Sequence, residues 1–230
     1  MFKTRLLLLS VMAIAAICTQ EICIQEVWAH SEPIDKLTQI LDALPKNQAP
    51  RRVDFSRDLR GGPQVECDIL FDTLSMKELD AFMLKVDTKC PGVVLMRIHV
   101  DRVRRTRKET TAADRYRIKL RYATGVGAST SLSVLFRDVR AKIKLQLAKQ
   151  GFEPPRIETW RLAISQRINP KRVESQRINS QAVFSAKSAK QAHALRNACD
   201  NQARLRVKQV KTAEEKDGRL RVEVKWLGMR

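Results

Sequence analysis

Aromatic side chains make up only 5% of the 230 residues, too few for an extended platform on which nucleic-acid bases would stack. Histidine is scarcer still. His30, His99 and His193 lie far apart, and their spacing matches no metal-ligand pattern. No Gly-x-Ser-x-Gly turn presents a nucleophile. Gly125-Val-Gly127 lacks both the third glycine of a dinucleotide fingerprint and a following Gly-Lys-Ser/Thr, so a phosphate loop is not expected. The chain therefore offers no catalytic residues and calls for no cofactor.

Acid is also in short supply. Forty-four Lys and Arg face 25 Asp and Glu, for a net charge of +19. Such an imbalance favours anionic partners. Hydrophobic residues (43%) and charged residues (30%) are otherwise present in the proportions of an ordinary folded domain.

The long apolar run needed to span a membrane is missing too. Leu6 to Cys18 is apolar throughout most of its length, but as a helix it reaches only about 20 Å against a hydrocarbon core of about 30 Å. With Lys3 and Arg5 before it and Val27-Trp28-Ala29 after it, the segment reads as an export signal cleaved after Ala29. Residues 1–29 are therefore expected to be a signal peptide, with an uncleaved amino-terminal anchor, extended to Ile24 through Gln20 and Glu21, as the rival reading. Their removal takes Cys18 and Cys23 and leaves Cys67, Cys90 and Cys199. In an oxidising compartment a Cys67–Cys90 disulfide is geometrically reasonable, because Cys90 ends a helix that returns to the end of the strand bearing Cys67. Three small buried hydrophobes are the competing reading. Cleavage would also make His30 the amino terminus, where amine and imidazole together can chelate copper. That pairing defines one alternative, an envelope metalloenzyme.

What is present is a sequence of alternating and helical patterns. Ile34, Leu37, Ile40, Leu41 and Leu44 recur at helical spacing up to Pro45. Residues 46–64, rich in Arg, Pro and Gly, read as a basic linker, partly extended. Val65 to Phe71 alternates as a strand. Ser75 and Glu78 form a capping-box pattern ahead of Leu79, Phe82, Met83 and Val86. Strands follow over 93–103 and 116–122, then a helix over 131–149, a strand near 160–164 and another near 178–184. The chain closes with a helix ending at Cys199 and a hairpin whose turn holds Asp217-Gly218.

The resulting order is β-αββ-αββ-αββ. The expected fold is α+β with mainly antiparallel sheets, built from tandem or intertwined ferredoxin-like βαββ units with helices over one face. The expected organisation is a signal peptide (1–29), a short helix and basic linker (30–63), a ferredoxin-like α+β domain (64–168) and a βαββ unit (169–230) that packs into the same domain or beside it. The repeated αββ order is similar in topology to the periplasmic domains of pilus-alignment and type II secretion scaffold proteins. That likeness implies a role in envelope assembly.

Cations concentrate on the hairpins. Arg102, Arg104, Arg105, Arg107 and Lys108 crowd one tip. Arg117, Lys119 and Arg121 line one face of the next strand, and Arg206, Lys208, Arg221 and Lys225 repeat the pattern. Together they are the candidate anion-binding residues, opposed by the reading that a charged strand face is simply solvated. The expected protein is an exported, non-enzymatic adaptor or assembly component of a bacterial-type envelope, acting in a complex or by self-association. Its basic surface would hold an acidic protein, glycan or lipid surface. An exported polyanion- or DNA-binding protein is the other alternative, though specific nucleic-acid reading is not favoured because no recognised module is present.

Overall fold

A computed structural model describes residues 32–58, 64–103, 114–124, 131–166, 176–200, 202, 205–215 and 217–229. The expected signal segment, His30, Arg104, Arg105, Arg107, Lys108 and the glycine pair at 125 and 127 lie outside the described residues.

Among the described residues there are four α-helices and eight strands, each helix followed by two strands. Helix α1 covers residues 32–42. The others are α2 (Met76–Lys89), α3 (Leu132–Lys149) and α4 (Ala189–Asp200). The strands are β1 (Arg52–Asp58), β2 (Gln64–Leu74), β3 (Val93–Arg102), β4 (Tyr116–Thr124), β5 (Arg156–Gln166), β6 (Gln176–Ala186), β7 (Arg206–Glu214) and β8 (Leu220–Met229). They form one continuous sheet in the order β1-β2-β4-β3-β5-β6-β8-β7, with every neighbouring pair antiparallel. The mixed α+β class and antiparallel pairing agree with the expectation.

Each crossover through α2, α3 and α4 has the same form. A helix joins two strands of equal direction, and the hairpin partner of one of them fills the slot between. Thus β4 lies between β2 and β3, β3 between β4 and β5, and β8 between β6 and β7. The β5–β6 pair makes the sheet continuous across residues 64–230.

Residues 52–58 fell within the expected linker but form the edge strand β1, with Val53 opposite Ile69 and Phe55 opposite Cys67. Two apolar residues among Arg, Asp and Ser give too short an alternation to stand out in sequence. The strand is specified instead by the unfilled edge of β2. The far edge, β7, carries a bulge between Val207 and Gln209 and the exposed Lys208 and Lys211, features that discourage edge-to-edge pairing.

Alternation along the strands sends one set of side chains into the core and the other outward. Cys67, Ile69 and Phe71 of β2, Ile118, Leu120 and Tyr122 of β4, and Val222, Val224 and Trp226 of β8 are all buried. They pack with Leu79, Phe82, Met83 and Val86 of α2, the apolar stripe of α3 and the alanine-rich inner face of α4. Leu37, Ile40 and Leu41 join the same core, so α1 docks on the body. Helix ends follow their sequence signals. Ser75 and Glu78 cap α2 reciprocally, and Ser131 begins α3. Gly218 adopts φ +75° in the last hairpin, a conformation few other residues take.

Candidate functional site

With the helices on one side, the opposite sheet face is left to solvent, and most of its side chains are charged. Direct cross-strand partners define its geometry. Leu70 faces Lys119, Lys119 faces His99, His99 faces Arg161, Arg161 faces Gln181, Gln181 faces Lys225, and Lys225 faces Gln209. This row crosses seven strands without a carboxylate. The acids occupy the rows on either side. Asp68 stands opposite Arg121, Asp101 opposite Arg117 and Glu223 opposite Lys211.

That separation decides which cations are available. Arg121 makes two hydrogen bonds to the Asp68 carboxylate, at 2.8 and 2.7 Å, and lies 3.3 Å from Glu66. Lys225 is 3.6 Å from Glu223, and Arg117 is 3.8 Å from Asp72. No carboxylate among the described residues pairs with Arg97, Lys119, Arg161, Arg206, Lys208 or Arg221. On the helix side Arg115 pairs with Glu78, Arg137 with Asp87 and Arg140 with Asp80, while lysines such as Lys142 and Lys144 of α3 make no ion pair among the described residues.

Arg102, expected on the anion-binding surface, is spent differently. Its guanidinium bridges Asp114 (3.2 Å) and Glu158 (2.9 Å) and is largely covered. Its position opposite Tyr116 puts it on the other side of the sheet from Arg117. The remaining described candidates do share the open face. Lys119 and Lys225 lie in the acid-free row, Lys208 at the bulge beside it, Arg117, Arg121 and Arg206 in the flanking rows, and Arg221 at the start of β8.

Two concavities sink into this face, of about 670 and 410 Å³, and they share Arg97 and His99. The larger is also lined by Arg161, Gln181, Lys208 and Lys225. Residues Arg97, His99 and Arg161 are absent from the sequence-based candidates. The signal was there: the period of two that marked β4 and β8 also puts Arg97 and His99 on one face of β3 and Arg161 opposite Trp160 and Leu162 on β5. It is masked by the apolar bulk of both strands.

His99 is the half-buried centre. Its Nε2 is 3.0 Å from Asp101 Oδ1 and 3.1 Å from Arg161 Nε. One ring nitrogen cannot serve both. To accept from Arg161 it must hold a lone pair; to donate to Asp101 it must hold the proton. Burial pushes the imidazole below its ordinary value, with Asp101 opposing and the Arg161 and Lys119 cations assisting.

The thiols sit on the core side. Cys67 and Cys90 are free and buried, so the expected bridge between them is not formed here. Among the described residues no group of His, Cys, Asp and Glu is arranged to hold a metal ion, and no helix is long and apolar enough to cross a membrane. Comparison of the chain with protein-family models, with curated proteins and with solved structures finds no match in any of the three.

Proposed function

We propose that the protein is an exported, non-enzymatic adaptor or assembly component of a bacterial-type envelope, secretion- or pilus-scaffold-like, whose open sheet face holds an anionic partner. The observation that carries this reading is the acid-free row from Lys119 through His99, Arg161 and Gln181 to Lys225. Carboxylates are plentiful in the adjoining rows, where they neutralise Arg121 and Arg117. A face that needed only solubility would gain from interspersed signs of charge; this row has one sign. The ferredoxin-like description of the βαββ units belongs to the same proposal, as does the export signal.

Two experiments test the two halves. For export, N-terminal sequencing of protein recovered from its own cells should begin at His30, and a start at Met1 would remove the envelope assignment. For the face, Arg161→Glu combined with Lys225→Glu should abolish retention on an anionic matrix at moderate salt. Retention equal to that of the unaltered protein would remove the anion-binding assignment.

A further inference from the structure

We propose that the concavity centred on His99 and Arg161 anchors a carboxylate of an acidic polypeptide segment, and that binding tightens as His99 takes up a proton. This inference rests on the open-face reading above and names its partner and its control.

The choice of an acidic polypeptide follows from what the face offers and lacks. Trp160, Phe184 and Trp226 are all buried on the helix side, so no described aromatic ring on the open face can stack on a base or sugar. The exposed large apolar residues are Phe55, Leu84, Val134 and Leu145. Leu84 lies on α2, Val134 and Leu145 on α3, and Phe55 on the core-facing side of edge strand β1, so among the described residues the face has no exposed large apolar side chain to insert into a lipid surface. Guanidinium, ammonium and amide groups remain, a set suited to carboxylates and peptide backbone. From Lys119 on β4 to Lys208 on β7 the row crosses five inter-strand gaps, about 24 Å or the span of about seven extended residues.

The shared Nε2 supplies the coupling. With His99 neutral and accepting from Arg161, the guanidinium is held against the ring. Protonation turns Nε2 into a donor toward Asp101, removes the acceptor Arg161 was using and adds a positive charge beside it. Arg161 is then free to turn toward the concavity. The charged groups facing His99 are Arg97 and Asp101 on its own strand, Lys119, Arg117 and Arg121 on β4, and Arg161 on β5; Lys225 and Lys208 line the same concavity. Asp101 contacts the ring at 3.0 Å; Asp54 and Asp68 line the smaller concavity that His99 shares, and Asp68 is already paired with Arg121. An arriving carboxylate therefore meets a cation cluster and favours proton uptake by His99.

The probe is a labelled oligo-glutamate peptide, read by fluorescence anisotropy from about pH 8 to about pH 5, the range in which an imidazole titrates. The unaltered protein should bind more tightly as pH falls. His99→Gln should remove that pH dependence. Arg161→Gln should weaken binding about tenfold, the scale of a charge-assisted contact. Both side chains are on the solvent side, and unchanged unfolding midpoints at about pH 8, where the imidazole is neutral in both states, would confirm that each variant folds. Polyphosphate and a thymidine oligomer serve as comparison probes. If oligo-glutamate binds and neither variant alters its affinity or pH dependence, the anchor is wrong and the open-face reading stands. If the phosphate polymers bind and oligo-glutamate does not, the acidic-polypeptide assignment is wrong and the open-face reading again stands. If no polyanion binds at low salt, both fall.

Discussion

Trp160 of β5 and Trp226 of β8 stack across an intervening strand, with ring centroids 5.9 Å apart and planes 16° from parallel. They reach each other over β6, whose facing residues are small: Ala182 opposite Trp160 and Ser180 opposite Trp226. Ser180 also accepts a hydrogen bond from Trp160 Nε1 at 3.1 Å, and Trp226 Nε1 donates to the Cys199 carbonyl. Phe136 and Phe184 meet Trp160 edge-on. The cluster ties α3, β5, β6 and β8 into one core.

Trp160→Ala should accordingly destabilise the protein by about 3–5 kcal/mol, the range for removing a large aromatic from a packed core. Urea denaturation followed by tryptophan fluorescence and by circular dichroism measures it. Both probes should report a single coincident transition, because the cluster joins the two halves of the sheet. Separate transitions would show that residues 64–168 and 169–230 unfold independently.

The thiols should be inert in the folded state. Burial pushes Cys67 up to about 12, and Cys90 and Cys199 are raised by the same cause; only the thiolate reacts. Alkylation of the native protein should leave all three unmodified, while denaturation without reductant should expose them. Failure of Cys67 and Cys90 to label after denaturation would show that they are bridged in protein from an oxidising compartment.

His99 should make stability depend on pH in a definite direction. Its folded value lies below the ordinary imidazole value, so the unfolded chain takes up the proton first as pH falls. The stability present above the ordinary value is thus lost progressively as pH drops through the folded one. Denaturation midpoints measured across that window should fall toward acid in the unaltered protein and fall less in His99→Gln. Equal pH dependence in the two proteins would contradict the assignment.

Arg121 and Arg161 should separate stability from binding. Arg121 is committed to Asp68 and Glu66, so Arg121→Ala should cost up to about 1 kcal/mol, as for a part-exposed ion pair, and leave two acids on the face. Arg161 has no acid partner among the described residues, and Arg161→Ala should leave the unfolding midpoint unchanged while weakening anion binding. Paired urea titrations and binding isotherms would show this. A larger stability loss in Arg161→Ala than in Arg121→Ala would reverse the roles assigned to them.

The strands and helices with strong local signals were legible in the sequence. The Ser75–Glu78 capping box, the α3 stripe from Leu132 to Leu147 and the Asp217-Gly218 turn each state their structure within a few residues. Strand β1 was not legible, because its place depends on β2 and only Val53 and Phe55 advertise it. The candidate face was half legible. Alternation exposed Lys119 and Lys225, but strand order decides what stands beside them, and that order puts β3 and β5 in the middle of the sheet. Hence Arg97, His99 and Arg161 became visible only once His99 was seen between Lys119 and Arg161. Arg102 went wrong for a related reason. Being basic and near a hairpin tip says nothing of which side of the sheet a residue takes, or that Asp114 and Glu158 await it there.

The most direct test of the account compares charge reversal on the two sides of the molecule. Lys119→Glu with Lys225→Glu alters the open face; Lys142→Glu with Lys144→Glu makes the same change in net charge on α3, where both lysines are exposed. Binding of labelled oligo-glutamate should weaken by about tenfold or more in the first variant and lose much of its salt dependence, and change little in the second. Equal weakening in both would mean that net charge, rather than this face, holds the anion, and would contradict the central claim.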